Sequence, residues 1–226
     1  MKLQPFVENP AFPFIVIDEF YDKKEEELIW QELEFYSGKY TNTNQDTSGN
    51  RGMHPETGKS INSSNRIYLD QVYNQNSRHF SNILNVYGKI LSEDVMKAVR
   101  VNMPTAPILE ATNSDLSQIS YYDSGDFYGN HVDTFGYTVL VWFFKEPKRF
   151  NGGDFIISGP NKKIECKHNR LVMIPSYYFH SVTPITMEEK YRNKGLGRYT
   201  LTHFYFFDRN RPSKVSDMNK QGINKK

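Results

Sequence analysis

The chain has 226 residues, room for one substantial core or two small domains. A net charge of +2 with a pI near 8.4 is too balanced to argue for a nucleic-acid or membrane partner, and no apolar run approaches the roughly 18 residues of a membrane span. A single cysteine, Cys166, excludes an internal disulfide, and the opening MKLQPFVENPAFPF lacks the apolar centre of a secretory signal, so the expected location is the cytoplasm.

The segment NPAFPFIVIDEF reads as a short buried strand, and YDKKEEELIWQELEFY follows it as an amphipathic helix. Asp22 is the expected cap of that helix, with Leu28, Ile29, Leu33 and Phe35 on its apolar side. Residues 37–65 carry almost no apolar side chains, so they cannot fold on a core of their own and read as a surface loop. Tyr40, Arg51 and His54 within it are candidates to touch a substrate, although a plain solvated loop explains the same composition. A second helical region is expected from about Asn76 to Val99, with Phe80, Ile83, Leu84, Tyr87, Ile90 and Leu91 at helical spacing.

From about Ser117 the pattern changes to short β-type runs: SQISYY, YGNHVD, YTVLVWFF, DFIIS, KIECK, RLVMIP, HSVTPI and RYTLTHFYFF. Turn-forming stretches such as DSGD, FNGG and SGPNK separate them, which points to a sandwich, jelly roll or barrel. Aromatics at 15% of the chain lean the same way. We expect one α+β domain, mainly β, with helical support and the polar loop in 1–115 and a double-stranded β-helix (a cupin-like jelly roll) in 116–208. A polar, basic tail follows in 209–226 and reads as a solvated end.

The stretch YYDSGDFYGNHVDTF places His131 two residues from Asp133. In a strand such residues share a face, so an imidazole and a carboxylate can aim at one point. His180 opens another β segment behind the turn PSYYF. Two histidines and one carboxylate form the donor set of non-haem Fe(II) sites with open positions. A His-x-Asp pair by itself is weak, since a histidine at the edge of the core explains His131 equally well. In GRYTLTHFYFF, alternation puts Arg198, Thr200, Thr202, Phe204 and Phe206 on one face and His203 on the other. Arg198 is then a buried cation at the start of an apolar strand, and a carboxylate is its natural partner. His203 reads as a packing residue.

Tyr122, Gly125, Tyr128, His131 and Asp133 follow the spacing Y-x-x-G-x-x-Y-x-x-H-x-D. With FNGGDFIIS, NRLVMIPSYYFHSVTPI and GRYTLTHFYFF after them in order, the chain resembles the prolyl 4-hydroxylase-like Fe(II)/2-oxoglutarate dioxygenases, and NPAFPFIVIDEFYD resembles their usual entry. The resemblance implies that His131, Asp133 and His180 bind Fe(II). It implies that Arg198 pairs with the C5 carboxylate of 2-oxoglutarate beside Thr200, and that Tyr122 or Tyr121 hydrogen-bonds this co-substrate. Collagen-type members have a lysine where Arg198 stands, so the chain looks closer to the arginine-using branch. A tyrosine common in the family is replaced by Trp142 or Phe143, so one co-substrate contact is expected to be missing.

The activity so implied is hydroxylation of an unactivated C–H bond with O2, and with ascorbate as a candidate reductant. Asp133 favours hydroxylation over halogenation, and Phe204, where nucleic-acid demethylases carry a second arginine, weighs against DNA or RNA. A peptidyl proline, a free amino acid and another small molecule are all admissible substrates. The family closes a mobile segment over its substrate, and Ser37–Asn65 is the candidate here. The rival reading is a jelly-roll metal-binding module without 2-oxoglutarate turnover; a zinc hydrolase is weaker, for want of an acid-base partner.

Overall fold

A run such as YTVLVWF, apolar at nearly every position, is stable as a strand only when both of its faces are covered. The computed structural model of this chain shows what covers them; it describes residues 2–6, 11–42, 52–54 and 56–210. The first half supplies strands β1 (Lys2–Phe6), β2 (Phe14–Asp18), β3 (Thr41–Asn42), β4 (Asn62–Ser63) and β5 (Asn65–Tyr68). It also supplies helices α1 (Lys23–Phe35), α2 (Leu69–Val72), α3 (Asn82–Val86), α4 (Glu93–Asn102) and α5 (Ala106–Ala111). The second half is built of strands, apart from one 3-10 turn at Glu189–Tyr191: β6 (Ser114–Tyr122), β7 (Phe127–His131), β8 (Tyr137–Phe143), β9 (Phe150–Asn151) and β10 (Phe155–Ile157) come first. Then follow β11 (Lys162–Ile164), β12 (Arg170–Pro175), β13 (His180–Val182), β14 (Thr186–Met187) and β15 (Arg198–Phe206). Each of the eight β-type runs read from the sequence contains a strand, although KIECK, HSVTPI and YGNHVD leave theirs before the run ends.

The large sheet has the order β1-β2-β12-β8-β15-β6-β5-β3, and the small one β11-β10-β13-β7-β4. Every pairing in both is antiparallel. This is a jelly roll, two sheets packed face to face. One core lies between the sheets and contains Val16, Leu140, Trp142, Phe155, Ile157, Val172 and Ile174. The other lies between the helices and the outer face of the large sheet, with Ile29, Leu33, Ile83, Val99, Val139, Val141 and Leu201. Period-two alternation sends Val139 and Val141 to one core and Leu140 and Trp142 to the other. Strand β8 is therefore buried at all its positions. None of the described helices is long and apolar enough to cross a membrane.

Helix α1 begins at the expected cap. Asp22 accepts from the Glu25 N–H at 2.9 Å and Glu25 accepts from the Asp22 N–H at 2.8 Å, a capping box. Its buried face differs from the expectation: Phe35 is 62% exposed and Glu32 is buried. Ile29, Glu32, Leu33 and Tyr36 are the residues that share one helical face, and the Glu32 carboxylate is held there by Ser81 Oγ at 2.9 Å and the Ile83 N–H at 2.8 Å.

The region 76–99 is not one helix. Turns of 3-10 type at Arg78–Phe80 and Tyr87–Leu91 alternate with α3 and α4, and Ser81 caps α3 by accepting from the Leu84 N–H. Each restart rotates the apolar face, so Ile83, Leu84 and Ile90 are buried while Phe80 and Leu91 face solvent.

The polar stretch 37–65 is not wholly a surface loop. Its end forms β4 and joins β7, with Asn62 opposite Tyr128 and Ser63 opposite Phe127. Asn62 and Ser64 are buried despite their polarity, because strand pairing satisfies the backbone that a core would otherwise have to protect. Tyr40 packs near Tyr121 and Tyr199 in the helix-side core and not at the cavity; His54 is exposed. Arg51 and the tail 211–226 lie outside the described residues.

Candidate metal centre

Strand β7 ends at His131 and β13 begins at His180, and the two residues are register partners. Antiparallel pairing therefore brings the imidazoles side by side, with ring centroids 4.2 Å apart. The Nδ1 of each ring lies 2.8 Å from a carbonyl two residues earlier, Gly129 for His131 and Tyr178 for His180. A carbonyl only accepts, so Nδ1 carries the proton and each Nε2 keeps a free lone pair. Those lone pairs meet at Asp133: His131 Nε2 is 3.6 Å from Oδ1 and His180 Nε2 is 3.5 Å from Oδ2. One donor atom from each residue falls within 4.8 Å of the others. Donors at about 2 Å from a common ion would need only a small contraction.

Asp133 reaches this point by a different route from the one alternation suggests. Strand β7 has already ended, and Asp133 is placed by its own N–H, which donates to the Ser176 carbonyl at 3.0 Å. Thr138 Oγ donates to Asp133 Oδ2 at 2.7 Å and is itself 2.8 Å from Ser176 Oγ. Burial pushes the carboxyl up, but the neighbouring His131 and His180 imidazoles and the hydrogen bond from Thr138 outweigh it and hold Asp133 below the usual carboxylate value. Burial lowers His180 to about 4, against the pull of Asp133. Both states are the ones that bind a cation, a carboxylate and a neutral imidazole.

The floor of the cavity is the inner face of β6 and β15. Arg198, Thr200, Thr202 and Phe204 line it as alternation requires, together with Gln118, Ser120 and Tyr122. His203 faces the opposite core, where its Nδ1 is 2.8 Å from Ser117 Oγ. Tyr122 and Tyr121 take opposite sides for the same reason. Tyr122 lines the cavity, whereas the Tyr121 hydroxyl donates to Asp123 Oδ2 at 2.6 Å and accepts from the Gly197 N–H. The expectation that either could reach a co-substrate therefore narrows to Tyr122.

Arg198 is only 1% exposed. Its Nη1 donates to the Gly153 carbonyl, and the guanidinium carbon lies 4.3 Å from the Tyr122 ring centroid. Gly153 adopts φ +72° and a Cβ there would press on Arg198 Cδ and Ile185, while a Cβ on Gly152 would sit 2.0 Å from the Pro184 carbonyl oxygen. Gly153 is thus required by its positive φ and its packing against this cation, and Gly152 by the close approach of the Pro184 backbone. Among the described residues no carboxylate pairs with Arg198. Its Nε, Thr200 Oγ and Trp142 Nε1 are buried with no hydrogen-bond partner. Thr200 and Trp142 are register partners, so the three orphan donors belong to neighbouring positions of β8 and β15. Buried donors without acceptors are costly, and a ligand carboxylate beside Arg198 would satisfy them. The two-imidazole, one-carboxylate set and this adjoining anion cradle fit Fe(II) with 2-oxoglutarate. Trp142 thus presents an indole N–H on the side where a tyrosine contact was expected to be lost.

Arg66 escaped the sequence reading. It lies on β5, is buried, and lines the same cavity. The only local signal is NRIYL, in which Arg66 and Tyr68 alternate with Ile67 and Leu69.

Residues 117–206 match the model of the 2OG-Fe(II) oxygenase superfamily. Among solved structures, a Pseudomonas putida prolyl-4-hydroxylase is similar at 14% identity and a TM-score of 0.53, over 86% of this chain and 92% of that one. A 2OG-Fe(II) oxygenase family oxidoreductase from Burkholderia pseudomallei gives 13% and 0.51, over 85% and 84%. A prolyl 4-hydroxylase from Phytophthora capsici gives 15% and 0.53, over 92% and 66%. At these identities the likeness is one of fold. No curated protein matches the chain in sequence.

Proposed function

We propose, from the match of residues 117–206 to the model of the 2OG-Fe(II) oxygenase superfamily, that the protein is a 2-oxoglutarate-dependent dioxygenase. It hydroxylates an unactivated C–H bond in the manner of a prolyl 4-hydroxylase, on a peptidyl proline or a free amino acid. The observation that carries this reading is the adjacency of the His131, Asp133, His180 cluster to three buried, unpaired donors around Arg198.

His131 Nε2, His180 Nε2 and an Asp133 oxygen hold Fe(II), and their backbone and Thr138 hydrogen bonds keep them aimed. Bound iron supplies oxidative decarboxylation of 2-oxoglutarate by O2, giving succinate and CO2, coupled to hydroxylation of the substrate. Arg198 and Thr200 grip the distal carboxylate of 2-oxoglutarate, and Tyr122 borders it. Leu140, Phe155 and Val182 give the site an apolar wall. The buried free thiol of Cys166 is compatible with the cytoplasm.

Anaerobic titration with Fe(II) and 2-oxoglutarate tests the assignment. The expected result is a metal-to-ligand charge-transfer band, followed by succinate on admitting O2. Metal binding with neither band nor succinate would leave a jelly-roll metal-binding module.

A further inference from the structure

The metal cavity continues into a second cavity, and one neutral polar side chain belongs to both. We propose that Gln118 reads the substrate, and that the substrate carries an uncharged amide, an N–H and a C=O, beside an apolar body. This rests on the reading of the site as a 2-oxoglutarate oxygenase.

Across β6 and β15 the floor is a series of rows. Tyr122 lies opposite Arg198, Ser120 opposite Thr200, Gln118 opposite Thr202 and Leu116 opposite Phe204. Gln118 is four residues from Tyr122 along β6, roughly 13 Å at the rise of a strand. It adjoins the row of Leu116 and Phe204, which borders the second cavity. That cavity has a volume of about 450 Å³ and shares Gln118, Tyr128, Asp133 and Phe204 with the metal site. Such a volume is in the range of pockets that enclose small ligands.

The other polar groups common to the two cavities have partners within the protein. Arg66 is held by Ser64 and Tyr68 and lies over the Tyr128 ring. Tyr128 hydrogen-bonds to Asn62 and stacks on His131 with centroids 3.6 Å apart. Asp133 faces the histidines and accepts from Thr138. Asp70, in the second cavity, accepts from Arg78 and from the Ser117 N–H. Gln118 is half-buried, and among the described residues none hydrogen-bonds to its carboxamide. That group offers an NH2 donor and a carbonyl acceptor side by side. A substrate amide answers both, because its C=O accepts and its N–H donates. A carboxylate only accepts, so it leaves the Gln118 carbonyl unanswered at the point where water is displaced. Leu116, Val132, Phe135 and Phe204 supply the apolar wall for the rest of the molecule.

The test measures succinate formation by the Fe(II) protein with 2-oxoglutarate and O2. The probes are the N-acetyl N-methylamides of L-proline, L-leucine, L-isoleucine, L-valine, L-methionine and L-phenylalanine, each compared with its free amino acid. At least one amide should raise the rate severalfold over the substrate-free rate, with the free amino acid about tenfold less effective. Gln118→Met keeps the length of the side chain without its polar groups. It should raise the KM for that amide about tenfold, the scale of one or two lost hydrogen bonds, and leave the 2-oxoglutarate dissociation constant unchanged. Stimulation by none of the amides, equal stimulation by amide and free acid, or an unchanged KM in Gln118→Met overturns the proposal. A 2-oxoglutarate dissociation constant that rises with the KM also overturns it, by assigning Gln118 to the co-substrate. The amide-acid comparison uses the wild-type chain and stands even if the variant fails to fold. Absence of the charge-transfer band in the wild type would overturn the oxygenase reading itself; a band without amide preference overturns only the role of Gln118.

Discussion

His131 and His180 face each other across β7 and β13, and each donates Nδ1–H to the carbonyl two residues before it. The same local hydrogen bond on two strands presents two Nε2 lone pairs to one carboxylate. Replacing His131, Asp133 or His180 by Ala should abolish Fe(II) binding and succinate formation, with the fold retained by circular dichroism. Thr138→Val should be milder. It removes a hydrogen bond to Asp133 but keeps the shape, so metal affinity should fall about 10- to 100-fold, measured with Mn(II) as a redox-inert probe.

Arg198→Ala should weaken 2-oxoglutarate by roughly 2–5 kcal/mol, the scale for removing one partner of a buried charge pair. Metal affinity should hardly change, because Arg198 is not one of the three donors to the metal. An unaltered 2-oxoglutarate dissociation constant would assign the clamp to another cation.

Thr200→Val should move stability and binding in opposite directions. The hydroxyl of Thr200 is buried without a partner, so removing it relieves a desolvation cost and should stabilise the free protein by about 1 kcal/mol. The same change deletes a donor to the co-substrate and should weaken 2-oxoglutarate by about 1 kcal/mol. Urea unfolding and calorimetric titration of the same variant measure both. A loss of stability would mean that the hydroxyl is satisfied in the free protein.

His203 should make the fold sensitive to acid. Burial, with the charge of Arg78 added, lowers it from 6.5 to about 3. The unfolded chain therefore takes up this proton first as the pH falls, and the contribution to stability, complete above about 6.5, is lost progressively down to about 3. Within that window the slope is at most about 1.4 kcal/mol per pH unit for one proton. His203→Phe keeps a ring against Tyr87, which stacks on His203 at 5.2 Å. Unfolding free energies at pH 7, 6, 5 and 4 should fall less steeply in this variant, and identical slopes would remove His203 from the acid response.

The alternation of side chains along a strand is imposed by the backbone pleat, and it is legible in the sequence wherever a strand is. It separated Arg198, Thr200 and Phe204 from His203 correctly, and the eight apolar runs announced the strands of the jelly roll. The helix cap at Asp22 was equally local, since its partner is three residues away. Alternation shows which residues share a face, but not what lies against that face. Only the tertiary structure shows that Tyr122 rather than Tyr121 borders the cavity, and that Glu32 is buried because Ser81 and Ile83 come to meet it. Asp133 reaches the histidines through a hydrogen bond to Ser176, which is remote in sequence. Arg66 is a buried cation because β5 happens to flank β6 on the floor of the site. Such placements depend on which strand neighbours which, and long-range pairing leaves no periodic trace in the residues that it brings together.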